Sequence, residues 1–320
     1  MLKVYRKVSF LRFQNKEQEV LKRLLIFVLI SISLNSCFLF GSGGGDPKPV
    51  VDSTTQFNST PQVFDTPLDK TNEASGIAPS RLYFGNLFIV DDSEAAAGYH
   101  VFSKDGSYQK FVNINAQNRD WEDMATGNGP ETGKSYIYAA DIGDNNGGVH
   151  KQYTIYRFEE PNSSVNFVEK VDAIQYYYPN NASNNSETLL LDPKTKDLYI
   201  ITKDELNVKV FRLKYPQPVN QPFEAEFLGT IPYWGIVGGD ISADGNEILL
   251  KTYIAVFYWK LKSNETVFQA LSRTRDVGAP YIQENQGESI CWDYQAKGYY
   301  TISERGGLPT PPKLYYYSKK

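Results

Sequence analysis

Carboxylates dominate the chemistry that this sequence offers. The run Asn118-Arg119-Asp120-Trp121-Glu122-Asp123-Met124-Ala125 puts three acids at the start of a strand-like segment. The next such segment, from Tyr136, ends in Asp141-Ile142-Gly143-Asp144-Asn145-Asn146. Fainter copies recur. An acid leads a short small-or-apolar run at Glu73, Glu122, Glu187, Asp240 and Glu288, at intervals of 49, 65, 53 and 48 residues. Each is followed by a second run that closes on Asp91, Asp141, Lys203, Lys251 or Glu304. Oxygen-only groups suit a hard cation, Ca2+ above all, which takes about six to eight oxygen ligands. Without one, crowded carboxylates oppose each other's ionisation, and must be protonated or paired with Lys203 and Lys251. A ligand-free role is equally open for any one of the repeated acids: a carboxylate at a strand start accepts backbone N–H groups of the neighbouring sheet. Asp120, Asp123, Asp144 and Asn145 exceed what such capping needs, which marks their repeat as the place for an ion.

The elements that must position these groups are strands. Tyr (23) and Phe (18) are abundant and Gly and Pro plentiful, a mix that favours short strands and turns over helices. Third runs such as Val208-Lys209-Val210-Phe211 and Val256-Phe257-Tyr258-Trp259 follow the second ones, and several repeats add a fourth. Four strands in about fifty residues is the period of a β-propeller blade. In a blade the innermost strand begins, and the second ends, on the same face. The repeated acids would therefore ring one mouth of a central channel. Five blades are expected, or six if the long 122–187 interval hides one. The last unit shows three runs, so Pro61 to Asp65 is expected to supply its outer strand and close the ring. The alternative is a β-sandwich with long loops.

The ends and the composition set the address. Lys22-Arg23 precede an apolar run, Leu24 to Leu34, and Leu34-Asn35-Ser36-Cys37 follows. A charged, then apolar, then small-residue sequence reads as a secretory signal, too short to span a bilayer comfortably. The last four residues resemble the lipobox of bacterial lipoproteins, which implies cleavage before Cys37 and lipidation of its thiol. The expected plan is a signal over 1–36, a Gly/Ser/Pro-rich tether over 37–60 and a propeller over 61–320, held by the lipid to the bacterial envelope, with the outer membrane favoured and the domain outside the cytoplasm. The first 36 residues carry seven basic side chains against two acidic ones, so their loss takes the net charge from −4 to −9. The absence of a basic stripe argues against nucleic acid as a partner. A monomer is expected. With Cys37 lipidated, Cys291 has no disulfide partner.

The chain has two His and two Cys, too few for a zinc site or Ser-His-Asp machinery. It also lacks a Walker loop, a GxGxxG after a strand, HExxH and a CxxC pair. Two carboxylates at suitable separation would suffice for a glycosidase, and Trp121, Trp234 and Trp292 could stack on a small molecule or glycan.

Asn72-Glu73-Ala74-Ser75-Gly76-Ile77, Asp120-Trp121-Glu122-Asp123-Met124-Ala125, Asp141-Ile142-Gly143-Asp144-Asn145, Glu187 to Asp192, Gly239 to Gly245 and Gln286 to Ile290 resemble a group of bacterial secreted proteins and lipoproteins predicted to be β-propellers. The likeness spans about 70–305, and DWEDxA and DIGDN are its most specific parts. Some relatives carry names that suggest similarity to calcium-dependent propeller phytases. This chain departs from that pattern. Lys251-Thr252-Tyr253 stands where Arg-Thr-Tyr is usual, and a lysine lacks the bidentate fork of arginine. The dense basic pocket that a multiply phosphorylated substrate needs is missing. The expectation is therefore a binding or scaffold module with a Ca2+-binding mouth. The alternatives are a metal-dependent hydrolase of phosphoesters or glycosides, and a propeller that recognises proteins elsewhere on its surface.

Overall fold

The computed structural model describes residues 56–92, 95–145, 148–203 and 206–320. The expected signal, Cys37 and nearly all of the tether lie outside them. After β1 (Gln62–Asp65), four strands form a first antiparallel meander: β2 (Ala74–Pro79), β3 (Asn86–Asp91), β4 (Gly98–Ser103) and β5 (Tyr108–Ile114). β6 (Trp121–Asn128), β7 (Ser135–Asp141) and β8 (Tyr153–Glu159) begin a second. β9 (Phe167–Val168) leaves it to pair in parallel with β5, and β10 (Asp172–Tyr177) completes it. β11 (Ser186–Leu191), β12 (Leu198–Thr202) and β13 (Val208–Leu213) start the third; β14 (Phe223–Glu224) pairs in parallel with β10, and β15 (Glu226–Ile231) finishes the sheet. The fourth holds β16 (Ile236–Ile241), β17 (Glu247–Thr252), β18 (Val256–Lys260) and β19 (Val277–Ala279). Before β19 comes the short helix α1 (Val267–Ser272), started by a capping box between Thr266 and Gln269. β20 (Ser289–Trp292), β21 (Gly298–Ile302) and β22 (Lys313–Ser318) make the last sheet.

The innermost strands pack in the order β2, β6, β11, β16, β20 and back to β2. The fold is thus an all-β, five-bladed propeller. β1 pairs antiparallel with β22, with Val63 opposite Tyr315, so the N-terminal strand closes the ring as expected. The 65-residue interval between Glu122 and Glu187 holds no sixth blade. It is filled by a long loop after β7 and by the excursion that carries β9 onto the first blade. A sandwich is excluded because each inner strand touches two neighbours around a closed ring.

The core explains why the second runs read as continuously apolar. Each of five buried clusters lies between two adjacent blades, so most strands bury both faces. Phe88, Val90 and Tyr99 meet Trp121, Met124 and Ile137 between blades one and two. Leu249, Val256 and Tyr258 meet Ile290, Trp292 and Tyr299 between four and five. Cys291 is a free, buried thiol whose pKa burial pushes up; it behaves as a small apolar residue.

Candidate metal centre at the channel mouth

A β-bulge at the start of four of the five inner strands decides which side chains reach the mouth. Ala74 pairs with Asp91 and Gly76 with Val90, so Ser75 is the extra residue of β2. The same shift singles out Glu122 on β6, Glu187 on β11 and Val237 on β16. In the fifth blade Glu304 N donates to Gln286 O at 3.3 Å and Ser289 pairs with Ile302, which gives Glu288 the equivalent place. Such bulges re-aim side chains, here toward the channel. The mouth ring is therefore Ser75, Glu122, Glu187, Val237 and Glu288: three acids, not five.

Matching hydrogen bonds fix the rest of the frame. Asp92 N donates to Glu73 O, Gly143 N to Asp120 O, and Lys203 N to Asn185 O. Two residues before the mouth-ring residues stand Glu73, Asp120, Asn185, Gly235 and Gln286. Just past the second strands stand Asp92, Lys203, Tyr253 and Glu304, and in the second blade Gly143, one residue further on after Ile142. Glu73 therefore matches Asp120 and not Glu122, and its side chain is exposed.

Two groups of carboxylates result, each with oxygens within 4.8 Å of one another: Glu122 with Glu187 and Glu288, and Glu122 with Asp92 and Asp120. Glu122, Glu187 and Glu288 are at most 5% exposed. Lys203 bonds Glu187 Oε1 and lies 3.9 Å from Glu288 Oε1. Tyr253 donates its hydroxyl to Glu288 Oε1 at 2.6 Å, and Gln286 donates to Glu304 Oε2 at 2.8 Å. Glu187 Oε2 is buried with no hydrogen-bond partner.

One lysine does not offset this charge. Burial, then the charges of Glu187 and Asp92, hold the Glu122 pKa well above its ordinary range. Burial and Glu288 push Glu187 up to about 8 against the pull of Lys203. Burial and Glu288 likewise push Glu304 up to about 8. Buried, mutually repelling carboxylates and an orphaned oxygen fit a bound hard cation. Gly143 adds a steric requirement: a Cβ there would lie 2.2 Å from Glu122 Oε1 and 2.5 Å from Asp120 Oδ2. The glycine of Asp141-Ile142-Gly143-Asp144-Asn145 lets the loop close over the carboxylates.

Other expected site residues lie elsewhere. Asp123 points into the wall between blades, where Oδ1 accepts Met124 N at 2.8 Å and Oδ2 accepts Leu189 N at 2.9 Å. Asp240 does the same with Ile241 N and Trp292 N, at 2.8 and 2.9 Å; burial pushes it up to about 6. Asp144 folds its own loop, accepting from Val149 N, His150 N and Tyr153 OH, each at 3.0 Å. Asn145 reaches Glu122 Oε1 at 3.5 Å and accepts from Asn185 at 2.9 Å, at the cluster's edge.

Asp91 immediately precedes the mouth position Asp92 and faces away from it, since successive strand side chains alternate, whereas Asp141 is tied to its own blade. Asp91 holds His100 Nε2 at 3.0 Å. Asp141 accepts from Asp120 N at 3.0 Å and lies 3.5 Å from Arg119 Nε; burial raises its pKa against the pull of Arg119. Lys251 is fully buried between blades four and five. It bonds Gly287 O, with Glu284 Oε2 at 4.0 Å, and burial depresses it to about 8. Trp121 and Trp292 are core residues with no exposure, whereas Trp234 is 61% exposed. Sequence reasoning missed Tyr253, Asn185 and Gln286 and left Asp92 outside the ring. The pattern polar-x-Glu, in Asp120-Trp121-Glu122, Asn185-Ser186-Glu187 and Gln286-Gly287-Glu288, was the signal for the true frame.

No family model matches the chain, and no curated protein matches it. Among solved structures it is similar to an auxiliary nutrient binding protein from Bacteroides thetaiotaomicron, with 9% identity over 81% of this chain and 78% of that one and a TM-score of 0.46. It is also similar to a gluconolactonase from Xanthomonas campestris, with 10% identity over 88% and 99% of the two chains and the same TM-score.

Proposed function

We propose that the protein is a lipid-anchored envelope propeller that binds a divalent cation, Ca2+ foremost, at its channel mouth and uses it to hold a ligand. Glu122, Glu187 and Glu288 are the central ligands, and Asp92 and Asp120 extend the site through Glu122. Asn145 and Asn185 orient the carboxylates. One observation carries this reading: three blades bring buried Glu122, Glu187 and Glu288 together with oxygens within 4.8 Å of one another, and Glu187 leaves a buried oxygen unpartnered. Chelator-treated mature protein should gain thermal stability on addition of Ca2+, because a ligand of the native state stabilises it by mass action, ~2.7 kcal/mol at a hundred times Kd. Glu187→Gln should remove most of that gain. An unchanged melting temperature at millimolar Ca2+ overturns the reading. Cys37→Ala should release the protein from membranes if the thiol is lipidated, and unchanged membrane attachment would refute the anchor.

A metal-dependent hydrolase is the second reading. Lys203 beside the carboxylates favours it, since an anionic substrate would meet both ammonium and cation. Ca2+-dependent turnover of an aryl phosphate or aryl glycoside, lost in Glu288→Gln, would select it over simple binding.

A further inference from the structure

A groove of about 540 Å3 lies on the side of the ring opposite the mouth, where the last blade meets the first. Its size falls within the ~300–1,000 Å3 usual for small-ligand sites. The turn between β2 and β3 brings Phe84, and the turn between β20 and β21 brings Tyr294. Their ring centroids are 3.9 Å apart, yet Phe84 is 68% exposed. Tyr300 and Tyr316 extend the aromatic wall, with centroids 4.6 Å apart. Asp293 fixes that wall by accepting the Tyr316 hydroxyl at 2.5 Å and the backbone of its own turn.

The rest of the lining mixes apolar Phe64, Pro79 and Leu87 with polar groups that are uncharged in sum. Lys104 and Lys297 are offset by Asp105 and Asp293, and Gln62, Asn86 and Gln295 add amides. Gln62 and Gln295 are exposed. Of the four rings Phe84 is exposed, Tyr294 and Tyr316 are half-buried and Tyr300 is buried, so Phe84 is the ring a ligand can cover. Balanced charge disfavours a highly charged ligand. Flat rings interleaved with amide donors and acceptors match a molecule with C–H faces and hydroxyl edges.

We infer that this groove binds a neutral oligosaccharide, stacked on the outer face of Phe84, which Tyr294 backs, and hydrogen-bonded by Gln62, Asn86 and Gln295. The site is separate from the mouth and needs no cation. Because Gln62 and Tyr316 belong to the closing sheet and Phe84 to the first blade, a bound sugar also bridges the seam of the ring.

Maltohexaose, cellohexaose, chitohexaose and xylohexaose are the probes, tested by calorimetric titration and thermal melting of the chelator-treated mature protein. At least one should bind and raise the melting temperature. Phe84→Ala and Tyr294→Ala should each weaken that binding at least tenfold. Circular dichroism of both variants should match the parent, since both side chains lie on surface turns. Failure of all four sugars to bind overturns the inference. So does binding that survives in the double variant, or that appears only after Ca2+ is restored, because the sugar would then sit at the mouth.

Discussion

Glu122 and Asp123 are neighbours on one strand, both acids and both buried, yet their surroundings are opposite. Asp123 has its oxygens taken up by backbone N–H groups of its own blade and the next. Burial raises its pKa and those N–H groups draw it back. Glu122 meets other carboxylates instead, and Glu187, Asp92, Glu288 and Asp120 all push its pKa up. The bulge separates them: the extra residue aims into the mouth while the next re-enters the ladder. Asp123 therefore holds the ring together, and Glu122 leaves it with charge that a cation would relieve.

The sharpest way to break this comparison is to remove the structural acid. Asp123→Ala strips acceptors from Leu189 N and Met124 N in a fully buried place. Unsatisfied buried groups cost about 1–3 kcal/mol each, so the loss should be roughly 3 kcal/mol or more in urea unfolding. The gain in melting temperature on adding Ca2+ should remain in whatever fraction stays folded. If Asp123→Ala instead leaves stability intact and abolishes the calcium response, the two roles are reversed.

Solution pH tests the other half, with a smaller effect. In chelated protein the folded-state pKa values of Glu187 and Glu304 are pushed up to about 8, against an ordinary unfolded value near ~4.3. Between those values the native state binds more protons than the unfolded one. Stability therefore falls as pH rises, from about pH 5 through about pH 9. Calcium should flatten or reverse that slope, because it competes with the protons for the same oxygens. Melting temperatures across this range, with chelator and with Ca2+, measure both. Parallel curves would mean that the cation sits away from these groups.

The fold was legible in the sequence because blade strands bury both faces, so Leu198 to Thr202 and Ile248 to Leu250 stand out as apolar runs at a steady period. The closing role of Gln62 to Asp65 followed from the missing fourth run after Leu314. The mouth was half legible. Glu122, Glu187 and Glu288 fall where the repeat put them, but Glu73 and Asp240 were matched to them by residue type alone. A bulge adds one residue without any composition signal, and a shift of one residue turns a side chain to the other face. That is why the repeat points to Asp91 and Lys251, while Asp92 and Tyr253 reach the mouth. The parallel additions of β9 and β14 are two residues each, below what periodicity can reveal.

Glu73 gives the smallest effect and the finest discrimination. It leads its repeat as Glu122 does, yet the register sets it level with Asp120 and leaves it exposed, with Ser75 at the bulge. Its charge still reaches Glu304, so some long-range influence is expected. Exposed substitutions of this kind usually change stability by less than about 0.5 kcal/mol. Glu73→Ala should therefore leave the calcium-induced rise in melting temperature nearly unchanged, where Glu187→Gln removes most of it. An equal loss in both variants would mean that the cation sits at the outer lip of the first blade, and that the register of the bulges does not choose its ligands.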